Sequence, residues 1–443
     1  MSNSSSETAD WHPLALEDES PFSPPPCPVD TRPVGQSGLG IAVDLGTTQL
    51  RMALWDLRAR RRLAALAGTN PQVVFGTNIL SRLAEARESR EKALELAERV
   101  QTALGEGLAL ISQQCDADLR RIRKLAVVGN TAMLSLFSGE NGDLLLQPDY
   151  WKREIVCRLL DSGELARRWG LAENARIALI QPLGGFVGSD LLANVLAVKL
   201  LQAPAGSLLL DFGTNTEIAL WDGKVLWVTS TPGGCAFAGP GILPARSGAV
   251  IRISTDPSGA LRLNVIGGGR PRGLCGSGLV DLIAMLRGRD QVDRVGRFTG
   301  PVSQEGLPIS PELPGVNLRK RDIDSFQRGK GAMAAAMHFL LQRTGLNLAD
   351  IPQLFVSGAF GQCLHIGHAQ EIGLLPPIPA QRIRLAGDAA LAGCEHLLLN
   401  PKPFPALAAI RNRSILINLG DSLEFEDLFI ENLYLQPMTG LPD

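Results

Sequence analysis

The stretch GIAVDLGTTQLRMALWDL at residues 40–57 returns as GSLLLDFGTNTEIALWDG at residues 206–223. Each is an apolar run ending in Asp, a turn of Gly and small polar residues, and a second apolar run. The pattern specifies two strands joined by a tight turn, and its repetition specifies a chain of two halves that open alike. An Asp at the end of the first strand puts a carboxylate at the mouth of the turn. Gly46 and Gly213 admit an anion close to the backbone, while Thr47, Thr48, Thr214 and Asn215 offer N–H, hydroxyl and amide groups to phosphate oxygens. One such turn is common in any fold. Two, each heading one half of a chain, suit a polyphosphate gripped from opposing lobes.

Asp44 and Asp211 would then face one cleft. Two carboxylates about 5 Å apart repel by roughly 3 kcal/mol at an effective dielectric near 20, which calls for a cation; Mg²⁺ on nucleotide phosphates, held largely through water, supplies one. Glu217, just past the second turn, is read either as a base or orienter of water or as a solvent-facing strand residue. A third stretch, FVSGAFG at residues 355–361, ends a strand in Gly358 and Gly361, where backbone approaches a flat ring or ribose that a Cβ would block. The order is phosphate hairpin, phosphate hairpin, adenosine turn.

The rest of the chain bounds this reading. With 443 residues, 45% hydrophobic, 20% charged and a net charge of −2, it has the composition of a globular protein of two or three folding units. No basic run interleaved with aromatics marks a nucleic-acid surface, and no apolar stretch has the roughly 20 residues of a membrane span. Residues 1–38, rich in Ser, Pro and acidic side chains, read as a disordered leader without a secretory signal. Seven scattered cysteines without a CxxC argue against a disulfide framework, a zinc site and an iron–sulfur cluster, and fit a cytoplasmic setting. The divisions expected are a leader at 1–38, a first lobe at 39–203, a second at 204–400 and a C-terminal extension at 401–443 that packs back on the lobes. Residues 78–114 predict one or two amphipathic helices whose charged residues form a solvated face.

The three ordered motifs resemble the actin-like ATPase superfamily, which includes sugar kinases, acetate kinase and heat-shock chaperone ATPases. The resemblance implies an α/β fold of two ribonuclease H-like lobes that binds ATP and Mg²⁺. Further stretches are similar to one branch, the ATPase portion of the reductive activators of corrinoid proteins: NPQVVFGTNILSRL (71–84), VVGNTAMLSLFSG (127–139), GGFVGSD (184–190), LLLDFGTNTEI (208–218), GGCAFAGPGI (233–242), GLCGSGLVDLI (273–283) and VSGAFGQCLHIGHAQEIGLLP (356–376). This resemblance implies ATP-dependent return of an inactive cobalt(II) corrinoid methyltransferase component to cobalt(I). It also implies docking on that corrinoid protein and a homodimeric state. Members of that branch carry an N-terminal ferredoxin domain, whereas residues 1–38 hold only Cys27, so the electrons are expected from a separate ferredoxin or flavoprotein. Asn78, Leu134, Ser135, Cys235 and Asp388 also depart from the branch's usual residues.

The residues expected to carry the chemistry are Asp44, Asp211 and Glu217, with Asp44 and Asp211 holding Mg²⁺ through water. Nucleotide contacts are expected from Gly46, Thr47, Thr48, Asn130, Gly213, Thr214, Asn215, Gly276, Ser277, Gly358 and Gly361. Asn130 and Asp190 open helices, where capping is the rival role. His365 and His368, in the stretch HIGH, are read as loop surface rather than a metal site, Lys330 as a solvated side chain and Cys275 as a packed turn residue. A small-molecule kinase, a nucleotide-switched chaperone or scaffold, and an activator carrying a cluster across a dimer remain open alternatives.

Overall fold

In the computed structural model the described residues are 9–14, 21–24, 38–76, 78–151, 153–233, 248–256, 260–358, 363–400 and 402–440. The chain divides into two compact units, residues 1–201 with 388–416 and residues 202–387 with 417–443.

The first unit is built on a six-stranded sheet of β1 (His12–Pro13), β2 (Leu39–Leu45), β3 (Gln49–Asp56), β4 (Arg61–Thr69), β5 (Ile122–Gly129) and β6 (Arg176–Leu179), in the order β1-β4-β3-β2-β5-β6. The hairpin foreseen at residues 40–57 is β2 and β3, antiparallel in the register Asp44 to Arg51 and Leu45 to Leu50. β4 extends the meander, and β5 and β6 add in parallel. β2 is buried along its whole length, as expected of a central strand covered on both faces. The amphipathic stretch resolves into α1 (Ile79–Glu88) and α2 (Arg90–Cys115), started by the side chains of Asn78 and Ser89, which accept from the N–H groups of Ser81 and Lys92. α3 (Thr131–Ser138), α4 (Ser162–Arg168) and α5 (Ser189–Ala197) follow.

The helix Ala389–Leu399 packs on β2, β5 and α5 and belongs to this unit. The linear boundary at 400 is therefore displaced: residues 388–400 return to the first sheet, because their continuous apolar run is buried against it. The segment 401–443 is divided as well, residues through Leu416 belonging to the first unit and those from Ile417 to the second. Residues 9–14, inside the stretch read as a leader, carry an ordered edge strand. His12 pairs with Ala67 and Pro13 with Leu66, and the Trp11 Nε1–H donates to the Ala103 carbonyl at 3.0 Å. The indole supplies the apolar area and the hydrogen bond that the flanking Ser and Pro lack.

The second unit repeats the topology. β7 (Ser207–Phe212), β8 (Thr216–Trp221) and β9 (Leu226–Thr231) form the antiparallel meander headed by the second hairpin. A small sheet of β10 (Ala249–Thr255), β11 (Leu261–Val265) and β12 (Gly273–Leu274) leads into α6 (Gly276–Gly288), and the ribbon β13 (Leu307–Pro308) and β14 (Asn317–Leu318) into α7 (Lys320–Thr344). β15 (Leu354–Gly358) pairs in parallel with β7, and β16 (Ile383–Gly387), after the short α8 (Ile366–Glu371), pairs in parallel with β15. The order β9-β8-β7-β15-β16 matches β4-β3-β2-β5-β6 strand for strand and direction for direction. The repeated hairpin is thus the start of a duplicated five-stranded α/β layer. No helix of the described residues is long and apolar enough to cross a membrane.

Candidate functional site

In the first unit, Asp44 ends β2 as a buried carboxylate directly opposite Arg51 on β3. Arg51 pairs with Asp388, at the start of the helix Ala389–Leu399, and donates from Nη2 to Gln49 Oε1 at 3.0 Å. The turn that follows has its acceptors taken up by the protein. Asn70 donates from Nδ2 to the Gly46 carbonyl and from its backbone N–H to that of Thr48, both at 2.9 Å. Arg82 Nη1 donates to the Thr47 carbonyl at 2.8 Å. With its carbonyls drawn inward, the turn has donors to present to an anion. Gly46 is required by closure of the hairpin, since a Cβ there would stand 2.4 Å from the Gln49 carbonyl oxygen. Thr47 is buried, and its Oγ1 accepts from Asn130 Nδ2 at 2.9 Å. Asn130 also caps α3 through the Met133 N–H at 2.9 Å, so the capping and turn-holding roles coincide in one side chain. Thr48 is exposed. Asp190 lies within the first turn of α5, whose N-cap is Gly188.

Arg82 was not among the expected site residues, and the solvated-face reading fails for it: it is 0% exposed. Burial lowers its pKa to about 10, which leaves it charged at neutral pH. Its signal was its position, three residues after Ile79 and next to Leu83, on the apolar stripe of α1.

The second unit gathers a denser set. Asp211 ends β7 and Glu217 begins β8 directly opposite it, and the two are 7% and 3% exposed. The solvent-facing reading of Glu217 therefore does not hold. Opposed residues of an antiparallel pair stand on one face with Cβ atoms about 5 Å apart. Two carboxylates there, at an effective dielectric near 20, repel by roughly 3 kcal/mol. Ser357, opposite Asp211 on β15, donates from Oγ to Asp211 Oδ1 at 2.8 Å, and Ser230 donates from Oγ to Glu217 Oε1 at 3.1 Å. These serines were not singled out from sequence, although Ser357 is the one polar residue in an otherwise apolar strand. Gly358 follows at φ +80°, and a Cβ there would meet the Phe212 carbonyl oxygen at 2.4 Å and Asp211 Oδ1 at 3.0 Å. Only glycine lets β15 end this close to the carboxylate. Gly213 is exposed at the tip of the turn, and Thr214 and Asn215 are half-buried beside it.

The demand for a cation thus differs between the hairpins. Asp44 faces an arginine, whereas Asp211 faces a second carboxylate in its own unit. Gly276 opens α6, but the Ser277 hydroxyl turns inward and donates to the Ile251 carbonyl at 2.7 Å. Cys275 is buried as the N-cap of that helix. Gly361 and the loop GGCAFAGPGI beyond Gly233 lie outside the described residues.

Two readings change with the structure. His365 and His368 are not loop surface: His365 Nδ1 caps α8 by accepting the His368 N–H at 3.0 Å, and His368 Nδ1 is 2.7 Å from Oδ1 of buried Asp281. Lys330 is not solvated. It lies in mid-α7 at 1% exposure and donates to the Tyr434 carbonyl, while His338 on the same helix holds the Asn432 side chain and the Thr439 carbonyl. Burial lowers the Lys330 pKa to about 7. Below about pH 7 both folded and unfolded chains bind this proton. Between pH 7 and the ordinary value near 10.5 only the unfolded chain does, so stability rises with pH across that window. The rise expected is a few kcal/mol, since each tenfold difference in proton affinity between the folded and unfolded chains is worth about 1.4 kcal/mol. Urea midpoints of the second unit's transition at pH 6.5 and pH 9 should show it, and Lys330→Met should remove most of it.

The family described as the C-terminal domain of RACo, the ASKHA domain, matches residues 205–441, and the RACo middle region matches residues 39–203. A corrinoid activation enzyme, RamQ, of Eubacterium limosum is 27% identical over 420 residues, covering 89% of this chain and 70% of its own. A [Co(II) methylated amine-specific corrinoid protein] reductase of Methanosarcina barkeri is 28% identical over 396 residues, covering 81% and 70%. The solved structure of a reductive activator for corrinoid, iron–sulfur protein superposes with a TM-score of 0.77 at 25% identity, covering 91% of this chain and 67% of that one.

Proposed function

The chain belongs to the RACo family, whose middle region and ASKHA domain it matches in order, and from that premise we propose that it is an ATP-dependent activator of a corrinoid methyltransferase component. ATP hydrolysis assists a one-electron reduction of the partner's inactive cobalt(II) to cobalt(I), the electron coming from a separate ferredoxin or flavoprotein. The setting is cytoplasmic and the working form a homodimer.

The observation that carries the ATPase part is the opposition of Asp211 and Glu217, two nearly buried carboxylates on one face, beside a turn of Gly213, Thr214 and Asn215. Asp211 would hold a hydrated Mg²⁺ arriving with nucleotide phosphates, and that charge would offset the repulsion of the pair. Ser357 and Ser230 fix the two carboxylates, and Glu217 would orient water for attack on the terminal phosphate. In the first unit, Asp44 and the donors of the Gly46–Thr48 turn are the proposed contacts to nucleotide phosphate, with Asn130 keeping Thr47 in place. Gly276 and Gly358 allow backbone to approach the nucleoside, and Ser277 contributes through its backbone. Hydrolysis does work on the partner only as far as the ATP and ADP states differ in affinity for the cobalt(II) and cobalt(I) forms.

The test is ATP hydrolysis by anaerobically purified protein, alone and with a cobalt(II) corrinoid protein and an external reductant, while the cobalt absorbance is followed. Stimulated hydrolysis with appearance of cobalt(I) is expected. Hydrolysis with no effect on or from the corrinoid protein would overturn the activator reading in favour of a kinase or a nucleotide-switched scaffold.

A further inference from the structure

Apart from the two hairpins, the second unit assembles two imidazoles and a carboxylate. Asp281 lies in α6 and is fully buried. Its Oδ2 accepts from the Ile253 N–H at 2.9 Å and from Arg252 Nε at 3.1 Å, which fixes the carboxylate plane and turns Oδ1 toward His368, at 2.7 Å. His365 and His368 are three residues apart at the start of α8, a spacing that puts both on one side. Their ring centroids are 3.9 Å apart with the planes tilted 35°. One ligand atom from each of Asp281, His365 and His368 lies within 4.8 Å of the others, the one such group among the described residues.

The His368–Asp281 contact and the cap that His365 makes on α8 account for each side chain singly, but not for two imidazoles laid together beside one buried carboxylate. Two rings at this distance cannot both be charged without repulsion, and two neutral imidazoles beside a carboxylate are a donor set that zinc-class ions prefer and Mg²⁺ does not. We propose that Asp281, His365 and His368 bind one divalent transition-metal ion of the zinc class. Zinc ligand atoms at about 2.0–2.1 Å from the metal stand roughly 3.3 Å apart, so the ion would open the 2.7 Å His368–Asp281 contact slightly and draw in His365, whose ligand atom lies within 4.8 Å of both, at the expense of its cap on α8. The proton shared by His368 and Asp281 leaves to solvent as the metal enters. Arg252 remains on the opposite carboxylate oxygen, and the half-buried histidines leave a side open to water. The ion ties α6, which begins at Gly276, to α8, which follows the strand carrying Ser357 and Gly358. It therefore braces two elements of the candidate nucleotide site without joining that site.

The test uses chelator-treated, tag-free full chain without nucleotide, titrated with Zn²⁺ or Co²⁺, so its outcome is independent of ATPase or corrinoid activity. One equivalent of Zn²⁺ per chain, a visible Co²⁺ absorption band and a higher melting temperature with Zn²⁺ are expected. His365→Phe keeps the ring packing and removes the ligand. That change, and separately His368→Ala, should weaken Zn²⁺ binding at least about tenfold with an unchanged circular dichroism spectrum. Absence of stoichiometric uptake, or uptake unaltered in the His365→Phe/His368→Ala double variant, overturns the site.

Discussion

Asp211→Ala should lower ATP turnover at least about a hundredfold, the order of loss when a preorganised charge-stabilising group is removed from a reaction centre, in a chain that still folds. Folding should survive for a physical reason. Asp211 shares its face with Glu217, so removing one of two opposed carboxylates relieves repulsion even as the Ser357 hydroxyl loses its acceptor at 2.8 Å. Asp211→Asn sharpens the test, since the amide oxygen still accepts from Ser357 while the negative charge is gone. If charge is what matters, Asn and Ala fall together in turnover and differ little in melting temperature. If Asp211 serves only to position β15, Asn keeps near-normal turnover and Ala alone loses it. Retained hydrolysis in a folded Ala variant would remove Asp211 from the site altogether.

Local sequence is a guide to the hairpins and stops being one at burial. The two hairpins were legible because each is one turn closed by adjacent residues, and the turn sets the register that opposes Asp211 to Glu217. That opposition follows from the turn itself, because a hairpin closed within a few residues fixes which side chains face each other. Burial was harder to read. Lys330 is covered by a segment 104 residues further on, and Asp281 meets a histidine 87 residues away. No local pattern announces either contact. The displaced boundary has the same origin: the run AALAGCEHLLL at 389–399 is apolar enough for either unit, and only packing on β2, β5 and α5 assigns it.

Arg82→Ala should destabilise the first unit by about 3–5 kcal/mol, the combined cost of carbonyls that lose a charged donor and of the cavity left by a large buried side chain. The guanidinium bridges two carbonyls, Gly76 from Nε and Thr47 from Nη1, each at 2.8 Å. Alanine leaves the buried Thr47 carbonyl without that donor, at about 1–3 kcal/mol, leaves the part-buried Gly76 carbonyl to solvent at a smaller cost, and opens a cavity the length of the side chain. Arg82→Met separates the two contributions, because it restores most of the volume but no donor. If the hydrogen bonds dominate, Met remains nearly as unstable as Ala; if packing dominates, Met recovers most of the loss. Arg82→Lys keeps the charge, but a single ammonium cannot reproduce the two-edged fork, so it should fall between wild type and Met. Nucleotide affinity should decline in the same order, because Thr47 loses the contact that turns its carbonyl inward. Denaturant unfolding of the four proteins, read with ATP binding on each, checks both effects. A change in Arg82→Ala within about 0.5 kcal/mol, the range of an ordinary surface substitution, would mean that Asn70 and Asn130 hold the turn by themselves.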